Sequence, residues 1–164
     1  MSSEHFYRLV RSWLTVHLPR ARRLSPHTIR SYKTALNMLL TYLRQTSDLD
    51  LTQITFEAIN RATITAFTTW LTDTKRLAPS TANQRLAAIK SFLSYCAAED
   101  PALVALWLEV KQTRPARTPA PTRKALTIPA IDALIRAPGQ DTHRGVRDTT
   151  LILLLFDTAA RIQE

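Results

Sequence analysis

Glycine is nearly missing from this chain: 2 in 164 residues. Sheet-rich folds use glycine at tight turns and bulges, so its scarcity points to helices. One cysteine, Cys96, excludes an internal disulfide and suits a reducing compartment, so a cytoplasmic protein is expected. The first residues, "MSSEHFYRLV", hold no basic region followed by an apolar one and do not read as a signal peptide. The longest apolar run, Leu151 to Phe156, is far too short to cross a bilayer, so no membrane partner is expected. There is no glycine-rich phosphate loop. The histidines at 5, 17, 27 and 143 show no metal-ligand spacing with the cysteine. Neither a metal nor a cofactor is expected.

What is present is apolar content and uneven charge. Hydrophobic residues make up 45% of the chain, enough for a packed core. The net charge of +9 is concentrated. Residues 1–47 carry eight Lys or Arg against the single acid Glu4, and residues 111–124, "KQTRPARTPAPTRK", carry five and no acid. The rest sums to slightly negative. Two basic blocks on a balanced chain suggest a polyanion, nucleic acid above all, contacted at two places.

The periodicity predicts an all-α fold. Four or five amphipathic helices fill residues 1–110. The first covers about Glu4 to Leu18, with Phe6, Leu9, Val10, Trp13 and Leu14 at helical spacing. The second starts at "SPHT", with Ser25 as N-cap and Pro26 in the first helical position. Its stripe of Ile29, Tyr32, Leu36, Leu39 and Leu43 leaves Thr28, Arg30, Ser31 and Lys33 towards the other side. A third is expected from Ala62 to Thr74. The fourth is broken in at Pro79, capped at Ser80 or Thr81, and buries Leu86, Ile89, Phe92, Leu93 and Cys96. A last helix opens at Asp100 and Pro101. Residues 111–125, with proline and basic residues and almost no large apolar side chain, are expected to form an extended linker. Residues 126–164 resume helix behind Thr127, and the final helix, Asp148 to Thr158, is apolar almost all round. Such a helix belongs inside a larger domain. Thirty-nine residues cannot surround it, so a second domain cut short is expected.

Three stretches in order, "LSPHTIRSYKTALNMLLTYL", "LAPSTANQRLAAIKSFLSYC" and "RDTTLILLLFDTAARIQE", with a basic Pro-rich linker before the third, resemble the tyrosine recombinases of the phage-integrase family. The resemblance implies a helical core-binding (SAM-like) domain of four to five helices at 1–110, a linker at 111–125, and the first helices of a truncated catalytic domain at 126–164. It implies a site-specific recombinase that cuts and rejoins duplex DNA through a 3′-phosphotyrosyl intermediate, without a cofactor, and copies of itself assembled on DNA as a tetrameric synapse.

The family motif T-G-x-R-x-x-E reads Thr158-Ala159-Ala160-Arg161-Ile162-Gln163-Glu164 here. The resemblance thus assigns Arg161 as the first catalytic arginine, with Glu164 supporting it. A planar guanidinium can hold two non-bridging phosphate oxygens by parallel charge-assisted hydrogen bonds, which lysine cannot match. Alanine replaces the motif's glycine at 159, where positive φ is uncomfortable for a residue with a Cβ. By the same resemblance the second and fourth helices face the major groove. Thr28, Arg30 and Ser31 on one, and Ser80, Thr81, Asn83, Gln84 and Arg85 on the other, are the expected contacts, with Lys33 and Lys90 reaching phosphates. In the linker, Lys111, Arg114, Arg117, Arg123 and Lys124 form the second basic footprint. The family's remaining catalytic residues, the nucleophilic tyrosine included, would lie beyond Glu164. The tyrosines at 7, 32, 42 and 95 fall in the first domain, so this portion is expected to bind DNA without cleaving it. The alternative is a helical DNA-binding regulator with no chemistry.

Overall fold

The computed structural model describes residues 2–47, 49–118, 125–139 and 141–159. Among them there are seven α-helices and no strand. None of the helices among the described residues is long and apolar enough to cross a membrane. The chain divides into two compact units, Met1–Pro119 and Ala120–Glu164.

In the first unit, α1 (Ser3–Ser12) starts where the Ser2 hydroxyl accepts the His5 N–H at 3.3 Å. It continues into a π-helical stretch, Trp13–Ala21, that contains Pro19. The expected first helix is thus longer and differently wound. In an α register the Pro19 ring presses on the carbonyl of Thr15, and a wider register relieves that clash. Then follow α2 (Pro26–Ser47), two 3₁₀ turns (Leu51–Gln53 and Phe56–Ala58), and α3 (Arg61–Asp73). Asn60 caps α3 by accepting the Thr63 N–H at 2.8 Å. Helix α4 (Pro79–Glu99) begins earlier than the sequence suggested, with Ala78 in the cap position and Pro79 opening the first turn. Proline fits there because its fixed φ is helical and its missing N–H has no intrahelical partner to lose. A 3₁₀ turn at Pro101–Leu103 leads into α5 (Val104–Lys111).

Helix α4 is the centre of this unit and packs against α2, α3 and α5. Its Phe92 sits among Trp13, Phe6 and Phe56, with ring centroids 5.3, 5.9 and 6.4 Å away. Trp13 in turn stacks on Tyr32 at 5.4 Å. Phe6, Trp13, Phe67, Leu39, Ile64, Leu71 and Ile89 are fully buried. Each such side chain contributes about 1.5–3 kcal/mol of transfer free energy, which carries this unit.

The second unit contains α6 (Ile128–Arg136), capped by Thr127, and α7 (His143–Thr158), capped by Thr142. Helix α7 starts five residues before the expected Asp148 and takes in "HRGVR"; the Thr142 hydroxyl accepts the Gly145 N–H at 3.0 Å and starts the helix there. A Cβ at position 145 would collide with the carbonyl of Gly139, so glycine is what lets α7 approach that turn. The described helices of this unit bury only Gly145 and Thr149. Leu151, Leu153, Leu154 and Phe156 of α7 are all exposed.

Candidate nucleic-acid interface

The first turn of α2 is fixed by Ser25, whose hydroxyl accepts the Thr28 N–H at 3.3 Å and lies 3.0 Å from the Thr28 hydroxyl. With Ile29, Tyr32, Ala35, Leu36 and Leu39 committed to the core, helical periodicity turns Arg30 and Lys33 to solvent, where both are exposed. The equivalent part of α4 buries Ala82 and Leu86 and exposes Ser80 and Gln84, with Thr81 half-buried.

One contact ties these halves together. The Arg85 guanidinium donates from Nη1 to the Ser31 carbonyl (3.2 Å) and to the Ser31 hydroxyl (2.9 Å). Ser31 and Arg85, both expected at DNA, are therefore brought to each other. They set the N-terminal half of α2 beside that of α4.

Asn83 and Lys90 are also engaged within the unit. The Asn83 carboxamide donates to the Ala116 carbonyl and accepts the Ala116 N–H, both at 2.8 Å. Lys90 donates to the carbonyls of Lys111 (2.9 Å) and Thr113 (2.6 Å). A cation there satisfies carbonyls left open at the end of α5. Burial pushes the Lys90 ammonium below its ordinary pKa. Seven helical residues rise about 10 Å, and three extended ones span about the same length. Residues 113–116 therefore lie antiparallel along α4 in matching register. Arg114 and Arg117 on this strap are exposed, and the Lys111 ammonium lies over the Trp107 ring, 5.7 Å from its centroid. Arg123, Lys124, Arg161 and Glu164 lie outside the described residues.

Reading along the stripe of α2 passed over the turn before it, where Arg20, Arg22 and Arg23 are all exposed. Only the count of basic residues in the first block pointed to them. All four tyrosines have packing roles. Tyr42 and Tyr95 are buried, Tyr32 stacks on Trp13, and Tyr7 donates to the Leu51 carbonyl at 2.8 Å. Burial pushes the Tyr7 phenol up, against a smaller pull from Arg44. At Ala159 the backbone enters the left-handed region, φ 52°, ψ 19°, immediately after α7. Alanine thus adopts there the conformation in which glycine is at ease.

Residues 12–100 match the family model of the phage integrase N-terminal SAM-like domain. A Sinorhizobium fredii protein named as an integrase/recombinase is 35% identical over 156 residues, covering 95% of this chain and 56% of that protein. A second one from the same organism is 33% identical over 159 residues, covering 95% and 47%. A Myxococcus xanthus tyrosine recombinase XerC is 31% identical over 150 residues, covering 90% and 46%. The chain spans about half the length of the curated relatives it matches. No solved structure matches it significantly.

Proposed function

Because this chain belongs to the family of phage integrase N-terminal SAM-like domains, we propose that it is the DNA-binding portion of a site-specific tyrosine recombinase or integrase. The observation that carries this reading is the Arg85–Ser31 clamp. It holds together two helix halves whose outward residues are Arg30, Lys33, Ser80, Thr81 and Gln84, a set of cations and hydrogen-bonding side chains suited to phosphates and base edges. Residues through the strap form the binding unit, and α6 and α7 open the catalytic domain. Asn83 and Lys90 act from inside the unit, by holding the strap that carries Arg114 and Arg117.

In the complete recombinase, which joins DNA through a 3′-phosphotyrosyl bond, Arg161 meets the charge that develops on the phosphate oxygens, and Glu164 steadies it. Four copies assemble on DNA. The present chain supplies no nucleophile, since its tyrosines are packed or hydrogen-bonded away. The test is an anisotropy titration of the 164-residue chain against duplex DNA between 50 and 200 mM salt. Log affinity should fall linearly with log salt, and Lys33→Ala should reduce the slope by about 0.9. Salt-independent binding, or none to duplex, would remove the reading. A suicide duplex incubated with the same chain should yield no covalent adduct.

A further inference from the structure

Three described residues take positive φ, and none is a glycine: Arg23 (48°), Arg76 (54°) and Ala159 (52°). Two are arginines, and they occupy the same place in a turn that the chain builds twice. In the first copy the Arg22 N–H reaches the His17 carbonyl at 2.9 Å and the Leu24 N–H reaches the Leu18 carbonyl at 3.0 Å. In the second the Lys75 N–H reaches the Trp70 carbonyl and the Leu77 N–H the Leu71 carbonyl, both at 3.0 Å. Leu18 and Leu71 are buried in both. The side chains repeat as well: Arg23-Leu24-Ser25-Pro26-His27-Thr28 against Arg76-Leu77-Ala78-Pro79-Ser80-Thr81. Each turn delivers the chain into one of the two helices, α2 and α4, that the Arg85–Ser31 contact joins.

A side chain in the left-handed region strains the backbone, and glycine is the residue that relieves it. Helices ordinarily end on glycine at such a position. Here an arginine stands there twice, exposed both times. Strain repeated at equivalent positions is a pointer to a task for the side chain. The location defines the task. Ser31 is five residues past the start of α2 and Arg85 six past that of α4, about 8–9 Å of helical rise, so each turn opens at the end of its helix that the contact joins. Both arginines are exposed and stand just before the N-terminal ends of the two helices whose outward residues are Arg30, Lys33, Ser80 and Gln84.

We propose that Arg23 and Arg76 are a matched pair of backbone-phosphate contacts that flank the surface α2 and α4 present to duplex DNA. The proposal rests on the DNA-binding reading above and adds two residues to it. A guanidinium suits the role because its planar fork meets phosphate oxygens in pairs. The left-handed turn fixes where each fork starts.

The experiment uses the 164-residue chain with Arg23→Gly, Arg76→Gly, both together, and the Arg→Lys counterparts. Glycine should raise the thermal midpoint by about 2–5 °C per site, since it relieves the strained φ. It should at the same time lower the salt slope of duplex binding by about 0.9 per site. The loss should be equal on two unrelated duplexes, because phosphate contacts carry no sequence information. Lysine should keep the slope near that of the parent chain while bringing no gain in midpoint. Glycine variants with an unchanged slope would overturn the proposal, as would a loss confined to one duplex, which would put the arginines on base edges. Failure of the functional reading is seen separately, in the parent chain, as absence of salt-dependent duplex binding.

Discussion

Helices α4 and α7 are similarly apolar along much of their length, yet they end in opposite environments. Helix α4 buries Ala82, Leu86, Ala88, Ile89, Phe92, Leu93, Tyr95 and Cys96. Helix α7 buries Gly145 and Thr149, and its Leu151, Leu153 and Leu154 are exposed. Phe92 is 0% exposed and Phe156 59%. An apolar stripe states which face needs cover; it does not state that cover is at hand. Around α4 the partner stripes come from α2, α3 and α5 of the same unit, whereas the described part of the second unit sets α6 alone against α7. The first unit therefore has the interior density that makes unfolding cooperative, and the described residues of the second lack it.

The largest expected effect tests that contrast with one substitution on each side. Phe92→Ala removes a ring from between Trp13, Phe6 and Phe56 and should cost about 3–5 kcal/mol. Phe156→Ala should stay within about 0.5 kcal/mol, as expected for an exposed site. Urea unfolding followed by tryptophan fluorescence checks the first, because Trp13, Trp70 and Trp107 all lie in the first unit, and amide exchange along α7 checks the second. Equal effects would mean that Phe156 is covered after all, and the contrast between units would fail.

A smaller effect probes the same core through its thiol. Burial pushes the Cys96 pKa well above its ordinary 9.0, with Glu99 and Asp100 adding to the shift. The folded state thus keeps a proton that the unfolded chain gives up above pH 9.0. Stability from this group is complete below that pH and falls above it, by up to about 1.4 kcal/mol per pH unit. Cys96→Ala loses packing at every pH but lacks this slope, so the gap between it and the parent chain should narrow from pH 8 to pH 10. A constant gap would show that the thiol is not held in the interior.

Legibility followed the same division. The all-helical architecture could be read because the stripes of α1 to α5 are complete and mutually sufficient, and Ser25, Pro26 and Thr127 mark starts that the structure keeps. Missed were the features that depend on more than periodicity. The wide winding around Pro19 follows from a clash between its ring and a backbone carbonyl. The earlier start of α7 depends on Gly145 fitting against Gly139. For the candidate interface, the sequence located the helices and their outward faces but treated each polar side chain as independent. Arg85 with Ser31, Asn83 with Ala116, and Lys90 with two carbonyls pair across 54, 33 and 21–23 residues of sequence. No spacing rule reaches that far. Arg23 and Arg76 were overlooked because a turn has no stripe, and a left-handed φ at arginine leaves no mark in the sequence.

The smallest expected effect concerns the third left-handed residue, Ala159. In the first unit a relieved turn should raise the whole unit's thermal midpoint, because its parts unfold together. At the end of α7 the same relief has no buried core to act through. Ala159→Gly removes a left-handed cost of about 1–2 kcal/mol for a residue with a Cβ, but glycine gives back roughly 0.5–1 kcal/mol as backbone entropy. The remainder is below about 1 kcal/mol and is local. Amide exchange at Leu154 to Thr158 should slow by no more than about fivefold, a factor that matches this remainder. The urea midpoint read by the three tryptophans should not move. A shift in that midpoint would show that the end of α7 is coupled to the first unit's core, and the two units could then no longer be treated as separately stabilised.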